Sequence, residues 1–219
     1  MRAAILGACL GPDRLLPYVE RSTRLTHTDP RALAGSLAIA QAAAAAVHTD
    51  APPHRIVADI RAATTDPELA GALELALAHH ARGASPEFFA CSLGQVDGVT
   101  GYIHHTVPVA LYCWLAAPTD VRAAIEHAVR LGGDTDTVAA IVGGLVGASA
   151  GADRIPASWL RDLLEAPRSL RWLRQLGERL AAPAPAGPLP LAWPLIPLRN
   201  LLFLCIVLGH GFARLLRPR

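Results

Sequence analysis

Apolar residues recur along this chain at the three- and four-residue spacing of amphipathic helices. Two predicted helices begin at an Asp-Pro pair, because Asp caps a helix and Pro fits its first position. Asp29-Pro30 precedes one and Asp66-Pro67 precedes the other. The pattern predicts helices over 31–47, 55–63, 68–82, 121–130, 138–148 and 168–180.

The pattern changes near residue 181, which divides the chain into a helical domain (1–180) and a C-terminal segment (181–219). Six prolines predict an extended linker over 181–198. An apolar helix is predicted from Arg199 onwards, and its uninterrupted apolar run falls short of the ~20 residues that span a membrane. We favour packing against the domain or an oligomer interface for 199–219. Docking on a membrane surface or on a partner is the alternative.

Composition supports an all-α fold, since the chain is 52% hydrophobic and only 5% aromatic, with abundant Ala and Leu. The net charge is +2, and the arginines are scattered, which argues against nucleic-acid binding. The four cysteines are far apart among apolar neighbours and are predicted to be buried thiols in a reducing compartment. The N-terminus has no apolar stretch long enough for secretion, so we expect a cytoplasmic protein.

Candidate chemistry concentrates in residues 131–137, Leu-Gly-Gly-Asp-Thr-Asp-Thr, which lead into an apolar helix. Two glycines allow a bent entry, so Asp134, Asp136 and Thr137 can converge at the helix N-terminus, where the dipole favours negative charge. Oxygen ligands of this kind suit Mg²⁺, with Mn²⁺ as a second choice, and do not suit zinc. On spacing alone, the alternative is that Asp134 is only an N-cap.

The run Gly-Asp-Thr-Asp-Thr-Val-Ala-Ala-Ile-Val-Gly-Gly over 133–144 resembles the C-terminal metal motif of the ADP-ribosylglycohydrolase family. The resemblance implies that Asp134, Asp136 and Thr137 bind Mg²⁺ beside ADP-ribose. It also implies an all-α fold and a hydrolase that removes ADP-ribose from a protein side chain or a small molecule. ADP-ribose or an ADP-ribosylated protein is then the expected partner.

Two further segments resemble parts of the family that contact ADP-ribose. His27, in the run Thr-His-Thr-Asp-Pro, matches a histidine that lines the pocket; a structural hydrogen-bonding role is the alternative. The glycine-bearing loop at 94–102 matches a substrate loop, which nominates Gly98, Gly101 and Tyr102. Glycines in a loop are otherwise ordinary turn residues, and this loop has no dinucleotide-binding or P-loop fingerprint.

The same resemblance implies that the first third of the family's domain is missing, because Met1 to Gly7 resembles a mid-domain segment. That third carries a Thr-Asp-Asp metal cluster and the acid residues of the reaction, and the chain contains no Thr-Asp-Asp. No catalytic residue is therefore assigned. The alternative to a hydrolase is a degenerate ADP-ribose-binding or scaffold protein of the same fold.

Overall fold

A computed structural model describes residues 1–163, 165–182 and 187–215, except for the side chain of Pro12. Over these ranges the chain is helical, and the only β-type pairing is an isolated parallel bridge between Val99 and Gly133. The all-α prediction is confirmed. The helices are α1 (Ala3–Cys9), α2 (Pro12–Arg24), α3 (Pro30–His48), α4 (Pro53–Ala63), α5 (Pro67–Ala81), α6 (Pro86–Ser92), α7 (Ile103–Ala116), α8 (Val121–Arg130), α9 (Thr135–Ala150), α10 (Ala157–Arg161), α11 (Leu170–Ala181) and α12 (Leu195–Leu215), with a 3₁₀ turn at Ala152–Arg154.

Most helix starts follow the predicted capping chemistry. Helices α2 to α6 each carry Pro in the first turn, where its missing N–H costs nothing. Asp29 accepts a hydrogen bond from the Arg31 N–H (2.9 Å), and Asp66 accepts one from Leu69 (3.0 Å). The predicted starts of α3 and α5 are confirmed.

Contacts divide the chain into two units, Met1–Pro156 and Ala157–Arg219. In the first unit, helix α7 is the most completely buried element, with ten consecutive buried residues from Thr106 to Leu115. Its ring groups are fixed by packing and by hydrogen bonds, since Tyr112 stacks on Phe89 (4.3 Å) and Trp114 donates to Ser149 (2.7 Å). This helix forms the centre of the core.

Helix α9 packs against α7, α8, α3 and α1. A stripe of residues at helical spacing is buried in this helix: Val138, Ile141, Val142, Leu145 and Val146. Close approach occurs at Gly144, where an added Cβ would lie 2.8 Å from the Ala4 Cβ. Gly147, in contrast, has no neighbour within 4 Å of an added Cβ.

The second unit contains α10, α11 and α12. Within it, the indole N–H of Trp172 donates to the Pro190 carbonyl (3.1 Å), and Arg199 pairs with Glu165 (2.8 Å). Helix α12 begins at Leu195, so the predicted start at Arg199 and the predicted extended linker to residue 198 are wrong. Residues 183–186 of that linker lie outside the described residues.

The prediction of four buried thiols is also wrong: Cys113 is buried, whereas Cys9, Cys91 and Cys205 are exposed. All four are free. The residues that flank Cys205 in the sequence are apolar, but they are themselves exposed on α12. Their apolar character therefore did not predict burial of the thiol.

Candidate functional site

The structure brings the 94–102 loop directly against the aspartate motif. The Val99 N–H donates to the Gly132 carbonyl (3.1 Å), and the Asp134 N–H donates to the Val99 carbonyl (2.7 Å). These two bonds form the isolated bridge between Val99 and Gly133. We call this backbone pairing of 98–101 with 132–134 the glycine clasp. It joins the segment before α7 to the segment before α9.

The glycine clasp requires glycine at its contact positions. Gly133 has φ +76°, and an added Cβ would lie 2.2 Å from the Val99 carbonyl oxygen. Gly98 has φ +115°, and its Cβ would lie 2.5 Å from the Gly133 nitrogen. Side chains at either position would collide with backbone, which does not yield easily, and would sit in a region that L-residues rarely adopt.

Asp134 occupies the N-cap position of α9, but its carboxylate does not cap the helix. By contrast, the cap residues of α3, α5, α6, α8 and α11 each accept a hydrogen bond from the first turn. The Asp134 side chain instead lies over the loop, where a Cβ added to Gly101 would be 2.9 Å from its Oδ2. Capping therefore does not account for this carboxylate.

Asp136 and Thr137 lie in the first turn of α9, with Asp136 exposed and Thr137 half-buried. No hydrogen bond or ion pair joins the side chains of Asp134, Asp136 or Thr137 to another described residue. Two carboxylates without a protein partner therefore lie beside the positive end of the α9 dipole. In the described ranges no group of three or more His, Cys, Asp or Glu side chains is arranged to hold a metal ion, so the donors at this helix end are two carboxylates and one hydroxyl.

The far end of the loop is held by side-chain contacts. The Thr100 hydroxyl oxygen lies 2.7 Å from the Nδ1 of His105, and the Thr100 carbonyl accepts a hydrogen bond from the Thr106 hydroxyl (2.9 Å). The Tyr102 ring stands edge-on to His104 and His105, at 5.2 and 5.1 Å between centroids. Tyr102 is thus oriented by its neighbours while 38% of its surface remains exposed.

His104 occupies a carboxylate environment that the sequence did not reveal. Its Nε2 lies 3.0 Å from Asp66 Oδ2, and its Nδ1 lies 2.8 Å from Glu68 Oε2. The Tyr102 hydroxyl is also 3.3 Å from Nδ1, but Glu68 is the nearer partner. In its imidazolium form His104 donates a hydrogen bond to Asp66 and forms an ion pair with Glu68. Asp66 precedes His104 by 38 residues, so no local spacing could have predicted the pair.

The contact with His104 affects the pKa of Asp66. Partial burial alone would raise its pKa, but hydrogen bonds from the Leu69 N–H and from His104, together with the charge of His104, hold the pKa below the ordinary value. Asp66 therefore has two roles: Oδ1 caps α5 and Oδ2 holds the histidine next to Tyr102. It is a positioning residue for the loop.

His27 lies in a different place. It lines an open cavity of about 290 Å³ together with Arg2, Val19, Thr26 and Ser36. Its Nδ1 lies 2.8 Å from the Thr26 hydroxyl oxygen. Among the described contacts, none joins His27 to the glycine clasp. The structure brings Gly98 and Gly101 to the aspartate motif. The recorded contacts of Tyr102 are with Thr100, His104 and His105, and the ligand roles of Tyr102 and His27 stay predictions.

Comparison with known proteins identifies relatives of this chain. The human ADP-ribosylhydrolase ARH3 is 36% identical over 73 residues, which cover 29% of this chain and 20% of the human protein. An uncharacterised protein of Archaeoglobus fulgidus is 29% identical over 163 residues, covering 74% of this chain and 50% of its own. The ADP-ribosyl-[dinitrogen reductase] glycohydrolase of Rhodospirillum rubrum is 35% identical over 83 residues, 37% of this chain and 27% of that enzyme.

The matched regions thus span half or less of each of these relatives. The family model for ADP-ribosylglycohydrolases, however, matches residues 1–188, which include the loop, the glycine clasp and the whole of α9. On that match, the chain belongs to the ADP-ribosylglycohydrolase family.

Proposed function

We propose that this protein is a Mg²⁺-dependent hydrolase that removes ADP-ribose from a modified protein side chain or small molecule. The observation that carries the proposal is the glycine clasp, because it sets the Asp134 carboxylate against Gly101 instead of at the helix cap. Membership of the family supplies the class of ligand. The printed names of two relatives, an ADP-ribosylhydrolase and an ADP-ribosyl glycohydrolase, support the same chemistry.

The residues present suit the proposed ion. Asp134, Asp136 and Thr137 offer only oxygen donors, and their side chains have no partner among the described residues. These three residues would hold Mg²⁺, or Mn²⁺ in its place. The bound ion would supply positive charge that orients the hydroxyl oxygens of the ribose next to the first turn of α9.

The loop would then bind the rest of the ligand. Gly98 and Gly101 carry no side chain, so a phosphate or ribose can approach the backbone amides of the loop closely. Tyr102 offers an oriented, partly exposed ring on which a sugar or base can stack. We include His27 in the proposal as a pocket residue, on the family resemblance of its segment.

The reaction is hydrolysis at the anomeric carbon C1″ of the ribose. A water oxygen forms a bond to C1″ while the bond from C1″ to the acceptor nitrogen or oxygen breaks, and the acceptor leaves with a proton. Orientation of the ribose accelerates this step by removing unproductive geometries. The four free thiols fit a reducing compartment, and we place the reaction in the cytoplasm.

Calorimetric titration of ADP-ribose into the full chain, with Mg²⁺ and with a chelator, tests the proposal. We expect binding that requires Mg²⁺ and falls at least tenfold in Asp136→Asn, since the neutral amide lacks the negative charge with which the carboxylate holds the ion. Asp153→Asn is the matched control. It removes an exposed carboxylate just beyond the opposite end of α9, which lies about 21 Å from Asp136 along the helix axis, and should leave binding unchanged.

Hydrolysis is measured separately, as release of free ADP-ribose from peptides that carry ADP-ribosyl-arginine or ADP-ribosyl-serine. Release that depends on Mg²⁺ and on Asp136 supports the enzyme. Metal-dependent binding without release would instead indicate the degenerate binding protein. Absence of binding under both conditions would overturn the proposed function.

A further inference from the structure

Helix α12 is the largest exposed apolar feature of the described chain. It runs over 21 residues from Leu195 to Leu215 with a mean hydropathy of 1.7 over its most apolar window, and none of its residues is buried. Four successive residues, Leu201 to Leu204, are each between 52% and 62% exposed. Since successive helical residues point about 100° apart, these four cover every direction around the axis.

The length of α12 matches a bilayer. At 1.5 Å per residue it extends about 31 Å, close to the ~30 Å thickness of the hydrocarbon core. The uninterrupted apolar run noted in the sequence lies inside this longer helix. Comparing that run alone with the ~20 residues of a membrane span therefore underestimated the length of the apolar helix.

Helix α3 is also long and apolar enough to cross a membrane, but it differs from α12 in its surroundings. Its mean hydropathy is 1.2, and one third of the tested window is buried. It packs so tightly on α1 that a Cβ added to Gly7 would lie 2.0 Å from the Ala40 carbonyl oxygen. Helix α3 is therefore a core helix of the first unit, whereas no part of the described chain buries α12.

The charges and tryptophans of the second unit fit a bilayer surface. Residues 157–219 contain nine arginines and three carboxylates, whereas residues 1–156 contain eleven arginines and fifteen carboxylates. Three of the four tryptophans also lie in the second unit. Trp193, which is 71% exposed, comes two residues before α12, where an aromatic ring at the headgroup level is favourable.

Other occupants fit less well. A helix that docks into a protein groove presents one apolar stripe, and a helix that lies flat on a membrane has a polar face. Helix α12 has neither pattern, because the apolar Phe203 and Val207 lie on the same face as its polar residues Arg199, Asn200, His210 and Arg214. Its two arginines, Arg199 and Arg214, lie near its ends, where their long side chains reach the headgroups.

From these observations we infer that α12 spans a lipid bilayer rich in anionic headgroups and anchors the first unit at the membrane. Helix α11 lies at the surface in this arrangement, because its leucines share one face and Arg171, Arg174 and Arg179 lie on the other. The inference does not depend on the proposed hydrolase activity.

Extraction of membranes from cells that produce the full chain tests the inference. We expect the protein to sediment with membranes and to resist both 1 M salt and carbonate at pH 11. The variant Leu204→Arg/Val207→Arg should shift to the soluble fraction, since two charges near the centre of a span are strongly unfavourable. Both positions are about half exposed, so this variant should keep its far-UV circular dichroism. Leu204→Ile/Val207→Ile is the matched control and should remain in the membrane.

A second measurement uses the free thiols. In vesicles of phosphatidylcholine and phosphatidylglycerol, a water-soluble maleimide should modify the exposed Cys9 and Cys91 and leave Cys205 unmodified. Cys205 should become reactive in the arginine variant. Release of the wild-type chain by carbonate, labelling of Cys205 in vesicles, or a soluble oligomer that dissociates in the arginine variant would each overturn the inference.

Discussion

At the scale of single residues, the candidate site depends on where side chains are absent. The aspartate motif is held by backbone-to-backbone contact, and Gly98 and Gly133 permit that contact by lacking a Cβ. Each also has a positive φ angle, so two separate physical requirements fall on the same positions. The geometry of the site is therefore sensitive to substitution of glycines that contribute only backbone atoms to it.

Gly133→Ala should destabilise the first unit and abolish binding of ADP-ribose. The left-handed backbone alone costs an alanine about 1–2 kcal/mol, and the collision with the Val99 carbonyl adds to it. Gly147→Ala is the matched control in the same segment of chain, because nothing lies within 4 Å of its added Cβ. It should raise the free energy of unfolding by about 0.5–1 kcal/mol, as expected for a helix interior.

Urea unfolding followed by circular dichroism, with calorimetry on each folded variant, measures both effects. Equal stability of the two alanine variants would contradict the contact at Gly133. Retention of ADP-ribose binding by Gly133→Ala would show that the loop and the aspartate motif bind the ligand independently of each other.

At the scale of elements, the sequence predicted what is decided locally. Asp29 and Asp66 were predicted as helix caps, and each accepts a hydrogen bond from the turn that follows it. Capping involves residues within three positions of each other, so its signal is written in the sequence. The two glycines before an apolar helix likewise predicted a helix start at Asp134, and α9 begins at Thr135; the convergence of Asp134, Asp136 and Thr137 on one ion stays a prediction.

The features that the sequence did not predict depend either on contacts between segments that are distant in the chain or on a helix position where proline is tolerated. The pairing of Val99 with Gly132 and Asp134 joins residues more than 30 positions apart, and so does the contact between Asp66 and His104. The start of α12 was missed for a different reason. Proline argues for extended chain in general, yet Pro197 lies in the first turn of the helix, where no N–H is needed.

The contact between α5 and α7 makes a prediction for acid stability. Because Asp66 has a lowered pKa in the folded protein, its stabilising contribution is complete above its unfolded pKa of about 4 and is lost as the pH falls through the folded pKa. Asp66→Asn should be less stable than the wild type at pH 7, by about 1–2 kcal/mol, through loss of the charge-assisted bond to His104.

Urea unfolding between pH 7 and pH 3 checks this expectation. The difference between wild type and Asp66→Asn should shrink as the pH falls below 4, because the wild-type carboxylate is then protonated as well. Asp120→Asn is the control, since it caps α8 without a histidine partner. A constant difference at every pH would assign the effect to the cap and not to the ion pair.

At the scale of the whole molecule, a net charge of +2 conceals two units of opposite sign. The excess of carboxylates lies in Met1–Pro156 and the excess of arginines in Ala157–Arg219. The family match covers residues 1–188, which include the first unit and α11, and it ends before α12 begins. The chain thus combines an ADP-ribosylglycohydrolase domain with a basic, apolar segment, whose proposed role is attachment to a membrane.

If α11 lies on anionic lipid, its arginines should govern the first encounter with the membrane. Arg171→Gln/Arg174→Gln should weaken binding of the full chain to vesicles containing phosphatidylglycerol by about 25-fold, at about 1 kcal/mol for each arginine near the surface. Binding to neutral vesicles should change little, and 0.5 M salt should remove most of the difference, because screening shortens the reach of surface charges. Arg21→Gln/Arg82→Gln alters the net charge equally in the first unit and should bind as the wild type does. Equal weakening by both pairs would mean that overall charge, and not α11, directs the chain to the membrane.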